Sequence, residues 1–180
     1  VSEYRRLKCI EGSKFERLFA KEFQQRSNKH TVLTPCITKN DQINFGDFKE
    51  LIECKYDMRM ANTGNLFIEC YEKQPGAIGY VKSGILAKSK AEYYVQGNFS
   101  CIYVFLKVIL QEYVSKFPMP EEFKNTERWR FGKTEENNTA YGFILPIKEA
   151  EELAPIIWEI DTTQQLLDVT KRLKEKYENN

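Results

Sequence analysis

Glu53 and Lys55 stand two apart in the run Leu51-Ile52-Glu53-Cys54-Lys55-Tyr56, whose composition reads as a β-strand. Residues two apart in a strand share a face and lie roughly 6.7 Å apart along the backbone. The two charges therefore project together, while Ile52 and Cys54 point the other way, into a core. A carboxylate beside an ammonium can do one specific job. The carboxylate binds a hard divalent cation such as Mg²⁺, which prefers oxygen ligands. The lysine orients or deprotonates a water next to that metal, or stabilises charge developing on a phosphate.

Such a metal needs at least one more carboxylate, and two aspartates compete for the place. With a turn centred near Phe48 and Lys49, Asp47 lies almost opposite Leu51, one diagonal step from Glu53. Asp41 lies opposite Tyr56 or Asp57, within a Lys-Asn-Asp turn signal. Asp47 is the first choice and Asp41 the alternative. The plainer readings are a surface ion pair for Glu53 and Lys55, and a turn residue for Asp47 beside Gly46.

The elements that must position these residues follow from periodicity. Residues 13–23 put Phe15, Leu18, Phe19 and Phe23 on one side of a helix. Ser13 is its expected N-cap, and Ser13-Lys14-Phe15-Glu16 has the form of a capping box. Residues 31–38, Gln42–Phe45 and 50–56 read as three strands in succession, hence an antiparallel meander, with Pro35 pushing the first toward an edge or bulge. Strands are expected at 66–72, with Phe67 and Glu69 on one face, and at both arms of a hairpin around Gln96-Gly97-Asn98. Short helices are expected at 85–93 and 148–154, a longer one from Leu106, a strand at 140–147, and an amphipathic C-terminal helix through Leu166, Leu167, Val169 and Leu173. Residues 117–139 are polar and proline-bearing, a linker or functional loop. The expected organisation is a core over 1–116 and a C-terminal αβ extension over 117–180, packed on the same domain.

The whole chain bounds the possibilities. Its 180 residues carry a net charge of +1, so any nucleic-acid affinity must come from a local concentration of positive charge. Five cysteines, an odd number without a Cys-x-x-Cys pair, suit reduced thiols in a cytoplasmic protein. A lone histidine argues against a zinc site. No apolar run approaches the length of a membrane span. Tyr93 and Tyr94, and Trp129 between Arg128 and Arg130, are able to stack on bases. For the tyrosines, core packing is the plainer reading.

Asp47 followed by Glu53-Cys54-Lys55 resembles the signature of the PD-(D/E)xK nuclease superfamily, with Gly46 where the usual proline stands. The five-residue gap from Asp47 to Glu53 is short for that family, and the eleven-residue gap from Asp41 is more typical. The order of helix, meander, helix and strand is similar as well, and residues 63–69, 83–85 and 90–95 resemble phage-type and Holliday-junction-resolvase-like members. The resemblance covers roughly residues 11–105. It implies an α/β fold with a restriction-endonuclease-like core, α-β-β-β-α-β, its mixed sheet flanked by helices. It implies Mg²⁺-dependent hydrolysis of DNA phosphodiesters, with Mn²⁺ as a substitute. Asp47, Glu53 and the Cys54 backbone carbonyl would hold the metal, Lys55 would act on the attacking water, and Glu16 would be the acidic residue supplied by the preceding helix. Glu69 would bind a second metal or a metal-bound water. Lys82, Lys88 and Lys90 form the best local basic patch for DNA phosphates. A homodimer would suit paired cuts on two strands. The alternative is a non-catalytic nucleic-acid-binding module that keeps the nuclease fold.

Overall fold

The fold is described from a computed structural model, which describes residues 3–27, 31–73, 76–132 and 140–161. Helix α1 spans Glu3–Arg26 and is continuous through Gly12 and Ser13. The expected start at Ser13 is therefore a correction. Ser13 is an exposed interior residue of the helix, so Glu16 is not the N3 partner of a capping box. The expected apolar stripe is present: Phe15 and Phe19 are fully buried, and Leu18 and Phe23 pack at the margin of the same cluster.

The strands form two four-stranded sheets. In the first, β1 (Ile52–Tyr56) lies beside β4 (Tyr93–Gly97), then β5 (Cys101–Leu106), then β8 (Ile156–Glu159). β1 and β4 are parallel and the other pairs antiparallel, so this sheet is mixed. The second sheet orders β3 (Val81–Lys82), β2 (Asn65–Glu72), β7 (Ala140–Pro146) and β6 (Trp129–Gly132), all antiparallel. The expected hairpin is β4–β5, and the expected strands at 66–72 and 140–147 are β2 and β7. The architecture is α/β with a mixed sheet and flanking helices. β7 and β8 come from the C-terminal third, and each pairs with a strand of the preceding part.

Strand alternation divides the core in two. Ile52, Cys54, Val95, Ile102 and Val104 face α1, where Phe15, Phe19, Leu33 and Phe48 cover them. Each fully buried phenylalanine contributes about 1.5–3 kcal/mol to holding α1 there. On the other face, Tyr94, Tyr103 and Phe105 pack with Leu66, Ile68, Cys70, Tyr141, Phe143 and Leu145 of the second sheet. Helices α4 (Lys107–Ser115) and α5 (Ile147–Leu153), both expected, close this cluster through Leu110, Val114 and Ala150. Trp129 is buried here, stacked on Tyr141 with its ring centroid 5.8 Å away, and Arg128 makes a two-armed ion pair with Glu149 at 2.7 and 2.8 Å. These two residues are part of the interior architecture and not a base-stacking surface.

The meander is the main departure. Residues 31–37 form no strand, and Lys39–Phe45 forms helix α2. The local chemistry explains the helix. Asp41 donates its backbone N–H to the Thr38 hydroxyl at 3.1 Å, and that hydroxyl donates to the Asp41 carboxylate at 2.8 Å. Thr38-x-x-Asp41 thus has the reciprocal character of a capping box, read in sequence as a turn. What stands in the meander's place is two isolated antiparallel bridges, Pro35 to Phe48 and Phe48 to Ile52. Of residues 85–93, only Ile85 and Leu86 are helical, in a 3₁₀ turn over Gly84–Leu86, and Tyr93 already opens β4. The helix α3 (Met60–Thr63) is a single short turn between β1 and β2. The expected C-terminal helix lies outside the described residues.

Candidate active site

β1 presents Glu53 and Lys55 on the face that looks toward the second sheet, as alternation requires. Their register partners on β4 are Tyr94 and Gln96. Glu53 is nearly buried at 7% exposure. Its Oε1 lies 3.3 Å from Lys55 Nζ, whose side chain remains 40% exposed. Burial opposes the charge on Lys55, but the carboxylates of Glu53, Glu69 and Asp47 outweigh it and hold the amine well above its usual value. Lys55 is therefore an ammonium at any physiological pH.

Glu53 has two further partners that pattern reading missed. The hydroxyl of Ser89 donates to Oε2 at 3.2 Å, and Lys107 Nζ lies 3.5 Å from the same oxygen. Lys107 also donates to Ser89 Oγ at 2.9 Å, closing a three-membered cluster. Lys107 is the first residue of α4 and is only 4% exposed. A lysine opening an amphipathic helix looks like a solvated charge in sequence, and nothing in its neighbours signals burial beside a glutamate fifty-four residues away. Ser89 reaches Glu53 from an irregular segment, residues 87–92, which forms no helix.

Asp47 is delivered by the turn before β1. Gly46 has φ 89° and ψ −148°, a conformation open essentially to glycine alone, and a Cβ there would lie 2.5 Å from the Ile52 carbonyl oxygen. Leu51 also carries a positive φ of 64°. This backbone lets the Asp47 N–H donate to the Ile52 carbonyl at 2.7 Å, and lets the Asp47 carboxylate accept from the Cys54 N–H at 2.7 Å. Asp47 thus lies against the backbone of β1. Asp41 sits instead in the first turn of α2, bonded to Thr38.

Burial raises the carboxyl of Asp47 above its ordinary range. The Cys54 amide and Lys55 work against this, and Glu53 adds to it. Glu16 is raised by burial and then by the charge of Asp47. α1 thus brings Glu16 into electrostatic contact with Asp47, and Glu69 of β2 acts on Lys55 from the second sheet. Four carboxylates from four segments share one field. Of the basic patch, Lys88 and Lys90 are exposed and flank Ser89, whereas Lys82 is exposed on β3.

The floor of the site is polar as well. Asp57, at the end of β1, accepts from the Phe67 N–H, from Gln96 Nε2 and from the N–H groups of Arg59 and Met60. It ties β1 to α3, β2 and β4, a structural role. Among the described residues, the hydroxyl of Tyr94 and the amide oxygen of Gln96 are buried without a hydrogen-bond partner. Both sit on β4, next to Glu53 and Lys55 in register.

The donors that face this place are carboxylate oxygens, the kind a hard divalent cation takes. Burial raises Glu16 and Asp47 first, and like charge adds to both, from Asp47 on Glu16 and from Glu53 on Asp47, a repulsion that a cation would relieve. The donor set fits such an ion in kind. Among the described residues, however, no three histidine, cysteine, aspartate or glutamate side chains come together as a metal-holding group. Both oxygens of Glu53 are engaged by ammonium or hydroxyl groups, and one oxygen of Asp47 is engaged by an amide. All five cysteines are free thiols, three of them buried. No helix among the described residues is long and apolar enough to cross a membrane.

Comparison with known proteins finds no family model, no curated protein and no solved structure that matches the chain.

Proposed function

We propose that the chain is a Mg²⁺-dependent endonuclease that hydrolyses DNA phosphodiester bonds, on a reduced form of the restriction-endonuclease-like core. The observation that carries this reading is the placement of Asp47 against the backbone of β1, beside Glu53 and Lys55 on one strand. Helix α1 on the face behind β1, and the Pro35–Phe48–Ile52 bridges in place of the meander, suit that core. Asp47, Glu53 and the Cys54 carbonyl would hold the metal, with Glu16 and Glu69 near enough in charge to assist, and Mn²⁺ would substitute. A bound Mg²⁺ would polarise the phosphate and lower the pKa of a water. Lys55, held as an ammonium, would donate a hydrogen bond to the attacking water or to the phosphate oxygens on which charge develops, and would not take a proton. Lys88 and Lys90 contact flanking phosphates.

The test is a cleavage panel of linear, nicked, flapped and four-way-junction DNA with Mg²⁺, run beside Lys55→Ala. Metal-dependent cutting that is lost in the variant supports the reading; absence of cutting across the panel, or cutting unchanged in the variant, overturns it. One observation favours a second reading, a nucleic-acid-binding module without catalysis. Glu53 is already neutralised by Lys55 and the buried Lys107. That module would bind DNA with steep salt dependence and hydrolyse none of it in Mg²⁺ or Mn²⁺.

A further inference from the structure

A cleft of ≈ 330 Å³ is lined by Ser89, Lys90 and Lys107, with Leu106 and Val108 as apolar wall and Glu92 as the carboxylate. Glu53 is not on the lining; it meets the cleft only through its contacts with Ser89 and Lys107. Lys90 is exposed, as is Lys88 on the other side of Ser89, so the mouth of the cleft is basic. The volume is at the small end for ligand pockets, enough for a phosphate and a small group attached to it.

Lys107 is under-satisfied for a buried charge. It is 4% exposed, and an ammonium out of water needs both a counter-ion and full hydrogen bonding. It has three N–H donors. The Ser89 hydroxyl accepts one at 2.9 Å, and Glu53 Oε2 lies at 3.5 Å, longer than an ordinary hydrogen bond. Among the described residues the third donor meets no acceptor. Glu53 does not depend on Lys107 in the same way, because Lys55 lies 3.3 Å from its other oxygen. An anion in the cleft can therefore take over Lys107 without stranding a charge on either side. A tetrahedral oxyanion suits the lining, since it offers several acceptor oxygens to a three-donor ammonium, a hydroxyl and a second lysine.

We infer that the cleft is a phosphate-binding site, in which Lys107, Ser89 and Lys90 hold the phosphate and Lys107 exchanges Glu53 for it as counter-ion. Glu53 is then left to Lys55. The phosphate comes either from a nucleic-acid backbone or from a free phosphate, and the site needs no cleavage to exist, so it does not rest on the nuclease reading.

The experiment is calorimetric titration of the full chain with inorganic phosphate, in EDTA and at constant ionic strength. Lys107→Met keeps the apolar stem and removes the charge, and should weaken binding by roughly 10- to 150-fold, the range for a hydrogen bond to a charged group. Lys90→Ala, at an exposed position, should weaken it by roughly 1.5- to 5-fold. Glu53→Gln removes the rival for Lys107 and should tighten phosphate by roughly 10-fold. Phosphate should also raise the melting temperature of Glu53→Gln more than the parent's, because that variant strands Lys107. Asp47→Asn removes a carboxylate held by Cys54 instead of Lys107, and should tighten phosphate less than Glu53→Gln does. Far-UV circular dichroism checks the folds; if Lys107→Met does not fold, Lys90→Ala and the opposite effect of Glu53→Gln still decide. No binding by the parent, folded variants that bind as the parent does, or equal tightening by Asp47→Asn and Glu53→Gln overturns the inference. A labelled oligothymidylate followed by anisotropy in EDTA separates the two sources. Displacement by phosphate from the parent identifies a nucleic-acid backbone, and phosphate binding without displacement identifies a free phosphate; both support the site. Phosphate binding in a chain that cuts no DNA would leave the inference standing and remove the nuclease reading, and cutting without phosphate binding would do the reverse.

Discussion

The carboxylate of Asp47 accepts a hydrogen bond from the backbone N–H of Cys54 at 2.7 Å, which fixes an acidic side chain against the strand that carries Glu53 and Lys55. The cost is that Asp47 is desolvated beside Glu53 and Glu16, and its carboxyl is held above the ordinary range by that burial. A carboxyl raised in the fold relative to the unfolded chain favours folding while it is protonated. That contribution is whole below the ordinary value of 3.8 and is lost as pH rises through the raised one. Asp47→Asn keeps an oxygen for the Cys54 amide and removes the charge. Its melting temperature should exceed the parent's at pH 7, by roughly 2–4 °C for each kcal/mol recovered, and match it near pH 4. Thermal melts at the two pH values check this, and the same variant should lose Mg²⁺-dependent cleavage.

Truncations at Glu53 and Lys55 should differ in stability even though both should end the proposed cleavage. Lys107 is 4% exposed and loses its carboxylate in Glu53→Ala, which should cost about 3–5 kcal/mol, the usual penalty for stranding a buried charge. Lys55→Ala leaves Glu53 with Lys107 and Ser89, and removes an amine that is 40% exposed, at a cost of about 1 kcal/mol or less. Urea unfolding of the two variants separates these values. Similar small losses in both would show that Lys107 does not depend on Glu53.

Gly46→Ala should disturb the site without touching a charged residue. The new Cβ would lie 2.5 Å from the Ile52 oxygen in a backbone conformation that side chains avoid. The expected loss is roughly 1–3 kcal/mol, with the Asp47–Cys54 bond displaced. Amide hydrogen exchange at Cys54 should accelerate more than exchange at β5, which a uniform loss of stability would not produce.

Gly12→Ala should do the opposite. Gly12 lies inside α1, and a Cβ there meets nothing within 4 Å. Replacing a helix-interior glycine by alanine should add about 0.5–1 kcal/mol. A shift of the urea midpoint to higher concentration at unchanged slope is the expected readout.

Much of the fold was legible where a signal is local. Phe15 and Phe19 at helical spacing gave the buried face of α1, and the alternation in 66–72 and 93–106 gave β2, β4 and β5. Two misreadings share one cause. A Ser/Thr followed three residues on by Glu/Asp is the same chemistry at Ser13 and at Thr38, and only Thr38 begins a helix. At Ser13 the upstream residues Glu3–Gly12 already continue a helix, so the hydroxyl has no free amides to cap. The meander failed because Pro35 has no N–H to donate and Lys39–Phe45 is capped into a helix, leaving bridges where strands were expected.

The sequence by itself determined the pairing of Glu53 with Lys55, because a period of two puts them on one face whatever the strand packs against. It also supplied the aspartates, with Asp47 ahead of Asp41 as the alternative. Only the tertiary structure set Asp47 against β1, through a glycine conformation at residue 46 that no pattern announces. Only it placed Lys107 and Ser89 on Glu53, since burial of a charge is decided by which distant element covers it. The side chains that share the site come from α1, the turn before β1, β1, β2, the segment before β4 and α4, and local spacing carries no information about how such segments converge.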